Sequence, residues 1–137
     1  MNKNELKQVI MNYIERNAGT TFAELERLFE QYGYDYVGDH EYTAADDPNH
    51  IYWLGWSSEY FNIMRELRQD GYIVMKPAST LIYMIDGKGL TFPVAKTERR
   101  KKNPHWLPVS FSITSKAKNG EMTFFDAMDI LLAGGAK

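Results

Sequence analysis

Three stretches of helical periodicity, each closed by a glycine, constrain this chain more than any other feature. Leu6, Val9, Ile10, Tyr13 and Ile14 recur at i, i+3, i+4, i+7 and i+8, which gathers them on one helix face. This spacing predicts a helix over residues 4–17, capped by Asn4 and with Gly19 just past its end. A second helix is expected to open at Thr21. Thr21 and Glu24 have the spacing at which each side chain satisfies a backbone N–H of the first turn. Phe22, Leu25, Leu28 and Phe29 supply its stripe and Gly33 its stop. The third helix is expected over residues 58–70, with Ser57 as cap and Trp56 and Phe61 at hydrophobic-staple positions. Tyr60, Ile63, Met64 and Leu67 face inward there. Glu59, Asn62, Arg65, Glu66 and Gln69 fall largely outside, and Gly71 ends the helix.

Short apolar runs fill the rest. Ile51 to Leu54 reads as a buried strand. Residues 72–76 and 80–85 flank Pro77-Ala78-Ser79 and read as a hairpin, followed by the tight turn Asp86 to Gly89. Leu90 to Val94 is a further strand, held to a sheet edge by Pro93. Residues 34–50, acidic and aromatic and then rich in turn formers, are expected to form an inserted loop. Residues 96–104 form a basic linker, and residues 105–111 return to apolar character and dock on the body. A last helix is expected near Thr123 and Asp126. Its Phe124, Phe125, Met128, Ile130, Leu131 and Leu132 leave it apolar on several faces, so it calls for cover from its own domain or from a second copy.

Composition narrows the function classes. There is no cysteine, which excludes disulfides, thiolate metal sites and thiol nucleophiles. Hydrophobic residues at 44% and charged residues at 25% fit a chain that can bury a core. No apolar run approaches the roughly 20 residues that span a bilayer, and Met1 to Leu6 is polar, so no membrane partner and a cytoplasmic location are expected. The net charge of −2 hides a division. Residues 1–60 carry 4 Lys/Arg against 11 Asp/Glu, whereas residues 61–118 carry 11 against 4. A molecule with one basic half can hold a phosphate backbone on that half.

The order helix, helix, strand, helix, hairpin resembles a winged helix-turn-helix, as in small repressor-like regulators of phages and mobile elements. The junction Leu67-Arg68-Gln69-Asp70-Gly71-Tyr72-Ile73 looks like the point where a recognition helix passes to the wing. Tyr83-Met84-Ile85-Asp86-Gly87-Lys88-Gly89 is similar to the end of a wing. The resemblance covers roughly residues 4–94 and implies an α+β fold, a three-helix core with a small antiparallel sheet and wing, plus a C-terminal helix. On this basis residues 1–95 are the core with its inserted loop, and 105–137 an extension or dimer contact. It implies a third helix presented to the major groove and a hairpin laid on the backbone or minor groove.

The DNA-binding residues expected are therefore Ser57, Ser58, Asn62, Arg65, Arg68 and Gln69 on the third helix. Asn62 suits adenine, and the arginines suit guanine edges or phosphate. Ser57 and Ser58 suit a phosphate at the helix start. Lys76, Ser79 and Lys88 belong to the wing, and Arg99, Arg100, Lys101 and Lys102 to the basic linker. The alternative for the arginines is ordinary solvent exposure, since Glu59 and Glu66 share their face and repel phosphate. Trp53, Trp56 and Trp106 could stack on unpaired bases, but core packing is the stronger expectation. His40, His50, Asp39, Glu41, Asp46 and Asp47 lie in one loop at spacings that match no metal-site pattern. With three scattered histidines and no glycine-rich phosphate loop, neither catalysis nor a cofactor is expected. The function expected is a duplex-DNA-binding transcriptional regulator, dimeric through residues 123–133. The alternatives are a protein-binding module that uses the acidic 34–50 loop, and a replication accessory that binds single strands.

Overall fold

All three periodic stretches form the helices that their apolar spacing predicts. The computed structural model describes residues 2–97 and 99–116; the expected last helix and its dimer contact, residues 123–133, lie outside them. The described chain is mixed α+β. Its elements are α1 (Lys3–Arg16), β1 (Thr20–Thr21), α2 (Phe22–Tyr32), β2 (Val37–Ala44), β3 (Asp47–Trp56), α3 (Ser58–Gln69), β4 (Ile73–Pro77), α4 (Thr80–Asp86), β5 (His105–Trp106) and β6 (Val109–Ile113). The strands form two three-stranded sheets, ordered β1-β6-β4 and β2-β3-β5. The chain divides into two compact units. Of the described residues, the first takes in 2–20, 63–75 and 111–116, and the second takes in 21–62, 76–97 and 99–110.

The first unit has a mainly aliphatic core. Leu6, Ile10, Met11 and Ile14 of α1 are buried, as are Ile63, Met64 and Leu67 of α3 and Ile73 and Phe111 of the strands. Val9 and Tyr13, expected on the inner stripe, are only partly covered. The cap of α1 is Asn2 rather than Asn4: its side chain accepts from Glu5 N at 2.8 Å. Gly19 adopts a positive φ and donates from its N to Phe111 O at 3.0 Å. Thr114 secures the chain after β6, donating from its hydroxyl to Gly71 O at 2.6 Å and from its N to Tyr72 O at 3.0 Å.

The second unit is built on rings. Phe22 stacks on Trp53 (centroids 5.6 Å apart) and meets Trp56 edge-on at 5.3 Å. Trp56 stacks on Phe61 at 5.0 Å, as the staple positions before and after Ser57 predict. Tyr83 meets Trp106 edge-on at 4.9 Å. The capping box of α2 forms between Thr21 and Glu24, and Gly33 closes the helix in the left-handed region.

Three expectations need correction here. Residues 34–50 are not a loop, because most of them belong to a hairpin in which β2 and β3 pair antiparallel across the two-residue turn Ala45-Asp46. The outer strand β2 is almost wholly exposed, with only Tyr42 buried, so it carries no apolar alternation to read. Residues 80–85 are not a wing strand. They form the helix α4, started by Ser79, whose side chain accepts from Leu81 N, and stopped by Gly87 in the left-handed region. Residues 90–94 make no strand beyond one isolated bridge from Val94 to Trp106. The expected hairpin of residues 72–85 is therefore absent, and β4 pairs with β6 instead.

Candidate nucleic-acid interface

The third helix carries most of the expected contacts. At its start Ser57 is half-buried and already bonded. Ser57 N donates to Tyr36 O at 2.8 Å, and its hydroxyl accepts from Tyr60 N at 3.4 Å. Gly38 lies so close that a Cβ there would come 2.5 Å from Ser57 Cα. Ser57 is thus a cap enclosed by the hairpin, and the sequence carried no sign of that enclosure. Ser58, Asn62 and Gln69 are exposed, and Arg65 and Arg68 are half-buried. Ser58, Asn62, Arg65 and Gln69 follow each other at spacings of four, three and four, so they form one row along α3.

Of the two acidic neighbours of that row, Glu59 is exposed and Glu66 is answered within the first unit. Lys3 Nζ and Lys7 Nζ each lie 2.8 Å from a Glu66 carboxylate oxygen. These two ammonium groups, Lys3 first, hold the Glu66 carboxyl below its ordinary pKa. The repulsion expected from Glu66 toward phosphate is therefore offset by two cations on α1. Lys3 and Lys7 are four residues apart and share a helix face, but a partner on another helix leaves no trace in local spacing.

The expected wing residues are dispersed. Lys76 is exposed near the end of β4. Ser79 is the cap of α4. Lys88 Nζ lies 2.6 Å from Glu26 Oε1, so its charge is already engaged. The other oxygen of Glu26, Oε2, accepts from the indole N–H of Trp53 at 2.8 Å and of Trp56 at 2.9 Å. Glu26 is almost fully buried, and it gives the two indoles the acceptor that burial would otherwise deny them. Sequence reading missed it because a single glutamate on an amphipathic helix looks like a solvated one. Trp53, Trp56 and Trp106 are all buried, so their rings belong to the core.

The basic segment is anchored rather than a plain linker. Lys101 N donates to Asp47 Oδ2 at 2.9 Å, and Asn49 Nδ2 donates to Lys101 O at 2.8 Å. Asp47 Oδ1 also accepts from Asn49 N at 3.0 Å. The Lys101 amide, followed by the Asn49 amide and the nearby His50 and Arg100, lowers the Asp47 pKa against the opposing effect of burial. Arg99, Arg100 and Lys102 remain exposed and Lys101 is half-buried. Of the acidic-loop residues weighed for a metal, Asp47 and His50 are buried with 3.8 Å between Oδ2 and Nδ1, while His40 and Asp39 are exposed. Among the described residues no three His, Asp or Glu side chains converge as ligands, and no helix is long and apolar enough to cross a membrane.

No family model, curated protein or solved structure matches this chain.

Proposed function

We propose that this is a DNA-binding protein of winged-helix type, a regulator rather than an enzyme, acting in the cytoplasm with α3 as its reading helix. The observation that carries this is the row Ser58, Asn62, Arg65 and Gln69. It has no carboxylate of its own; of its two acidic neighbours Glu66 is neutralised by Lys3 and Lys7, and Glu59 is exposed at the first turn. Asparagine, glutamine and arginine are the side chains that address adenine and guanine edges in a major groove. Two further features support the winged-helix reading. With the β2–β3 hairpin, α4 and β5 set aside, the order α1, β1, α2, α3, β4, β6 is that of a winged helix. β4 and β6 are neighbours in their sheet, and the chain between them, residues 78–108, is the segment this reading takes for an enlarged wing. That excursion includes the exposed cations Arg99, Arg100 and Lys102, which fit phosphate contact.

The test is fluorescence anisotropy of labelled random duplex, titrated with the full chain at about 50 and about 200 mM salt. The expected result is saturable binding that weakens steeply with salt. Arg65→Glu should weaken it by about tenfold or more, and a triple Arg99, Arg100, Lys102→Ala variant should flatten the salt slope by about two to three units. Absence of duplex binding at low salt would remove the proposal, as would an Arg65→Glu variant that binds like the parent.

A further inference from the structure

In a second part of the surface, on the second unit, we propose that the outer face of α4 and the groove beside it form a docking site for an acidic protein segment with apolar anchors. Helix α4 is turned the opposite way from an ordinary amphipathic helix. Only Tyr83 is buried, while Leu81 is 58% exposed, Met84 73% and Ile85 77%. Leu81, Met84 and Ile85 stand at i, i+3 and i+4, so they form one apolar stripe. A contiguous exposed stripe of this kind marks an interaction surface.

The stripe borders a groove of about 560 Å³ lined by Tyr83, Met84, Lys88, Leu90, Val94 and Trp106. Its size suits a few inserted side chains. The groove's shape depends on Gly89, where a Cβ would lie 2.9 Å from the Trp106 ring, so a side chain there would push the 87–90 backbone off the indole.

Charge selects the occupant. Residues 76–110 carry seven Lys/Arg and only Asp86 and Glu98 as acids. Asp86 is occupied: its carboxylate accepts from the Thr21 hydroxyl at 2.5 Å and lies 3.5 Å from the Arg27 guanidinium. Lys88 lines the groove but is engaged by Glu26, so the field beside the groove comes from Lys96, exposed two residues beyond Val94, and from the other cations of this stretch. A segment that buries apolar side chains against α4 and carries carboxylates between them gains steering and register from this field. A helix presenting leucines at i, i+3, i+4 and i+7 is the simplest such segment.

The probe is a labelled synthetic helical peptide with leucines at those positions and glutamates elsewhere; its control has lysines in place of the glutamates. Anisotropy titration against the full chain is expected to show binding of the glutamate peptide, weakened by salt, with the lysine peptide at least about tenfold weaker. Met84→Asp and, separately, Ile85→Asp should each reduce binding by at least about tenfold. Both positions are largely exposed, so circular dichroism should be unchanged. Lys96→Glu should lower affinity without touching the apolar contact. Equal binding of the two peptides, no binding of either, or insensitivity to both α4 variants overturns the proposal. So does binding to anionic lipid vesicles that the α4 variants abolish, which would make the surface a lipid contact instead.

Discussion

The two units solve the same problem with different side chains. The first buries leucine, isoleucine and methionine, which need no polar partner and pack by shape alone. The second buries Trp53, Trp56, Tyr42, Tyr83, Phe22, Phe29 and Phe61. Large rings remove more apolar surface per residue, but indole and phenol groups bring donors into a place without water. The second unit therefore contains a polar framework that serves its buried rings. Glu26 accepts from two indoles, and the Tyr83 hydroxyl donates to Val109 O at 2.6 Å while receiving Phe22 N at 3.3 Å. Burial, against the opposing bonds to the Phe22 and Val109 main chain, pushes the Tyr83 phenol well above its ordinary pKa. An aromatic core gains contact area at the cost of sensitivity to single polar atoms.

The sharpest way to break this comparison is truncation in each core. Trp56→Ala removes a ring in contact with Phe22, Phe29, Tyr36 and Phe61 and should cost about 3–5 kcal/mol. Leu67→Ala in the first unit should cost about 2–4 kcal/mol. Thermal and urea unfolding followed by circular dichroism compare the two, and equal costs with equal urea slopes would leave the cores energetically alike. Glu26→Leu separates area from polarity. If the buried carboxylate organises the rings, this apolar replacement should still destabilise by about 2–3 kcal/mol, because two indole donors lose their acceptor. A neutral or stabilising result would make the glutamate dispensable.

A third change tests the contact at the start of α3. Gly38→Ala places a Cβ against the Ser57 main chain and should cost about 1–3 kcal/mol, with altered amide shifts at Ser57 and Tyr60 in NMR spectra. The smallest effect concerns pH. Glu66 in the first unit and Asp47 in the second both have lowered pKa values. A carboxyl whose folded pKa is depressed adds stability above its unfolded pKa, and that contribution disappears as pH falls through the folded value. Stability should therefore drop below about pH 4. Lys7→Met should reduce the share due to Glu66, and Asp47→Asn that due to Asp47. Carboxyl carbon shifts followed by NMR read the two groups separately, and ordinary midpoints at both sites would contradict the assignment.

Local chemistry was legible wherever one residue's neighbours along the chain decide its state. The three main helices, the Thr21–Glu24 box, the Gly33 stop and the Trp56–Phe61 staple all follow from spacing within a few residues, because caps and stripes are short-range interactions. The burial of the three tryptophans was also expected from their apolar setting. The Asn4 cap failed by two residues, a displacement within the reach of a frayed helix start.

The remainder was decided by tertiary contact. Residues 80–86 contain leucine, isoleucine and tyrosine in a run that suits a strand as well as a helix. The side chain of Ser79, Gly87 and the anchoring of Tyr83 to Phe22 and Val109 favour the helix. Strand β2 has no buried alternation, and its pairing rests on backbone bonds to β3, for which sequence spacing has no signal. The lysines that answer Glu66 and the indoles that meet on Glu26 come from positions tens of residues away. A sequence records which groups are available; which charge meets which is set only when the chain brings distant segments together, because electrostatic and hydrogen-bonding energies depend on separation in space and not along the chain.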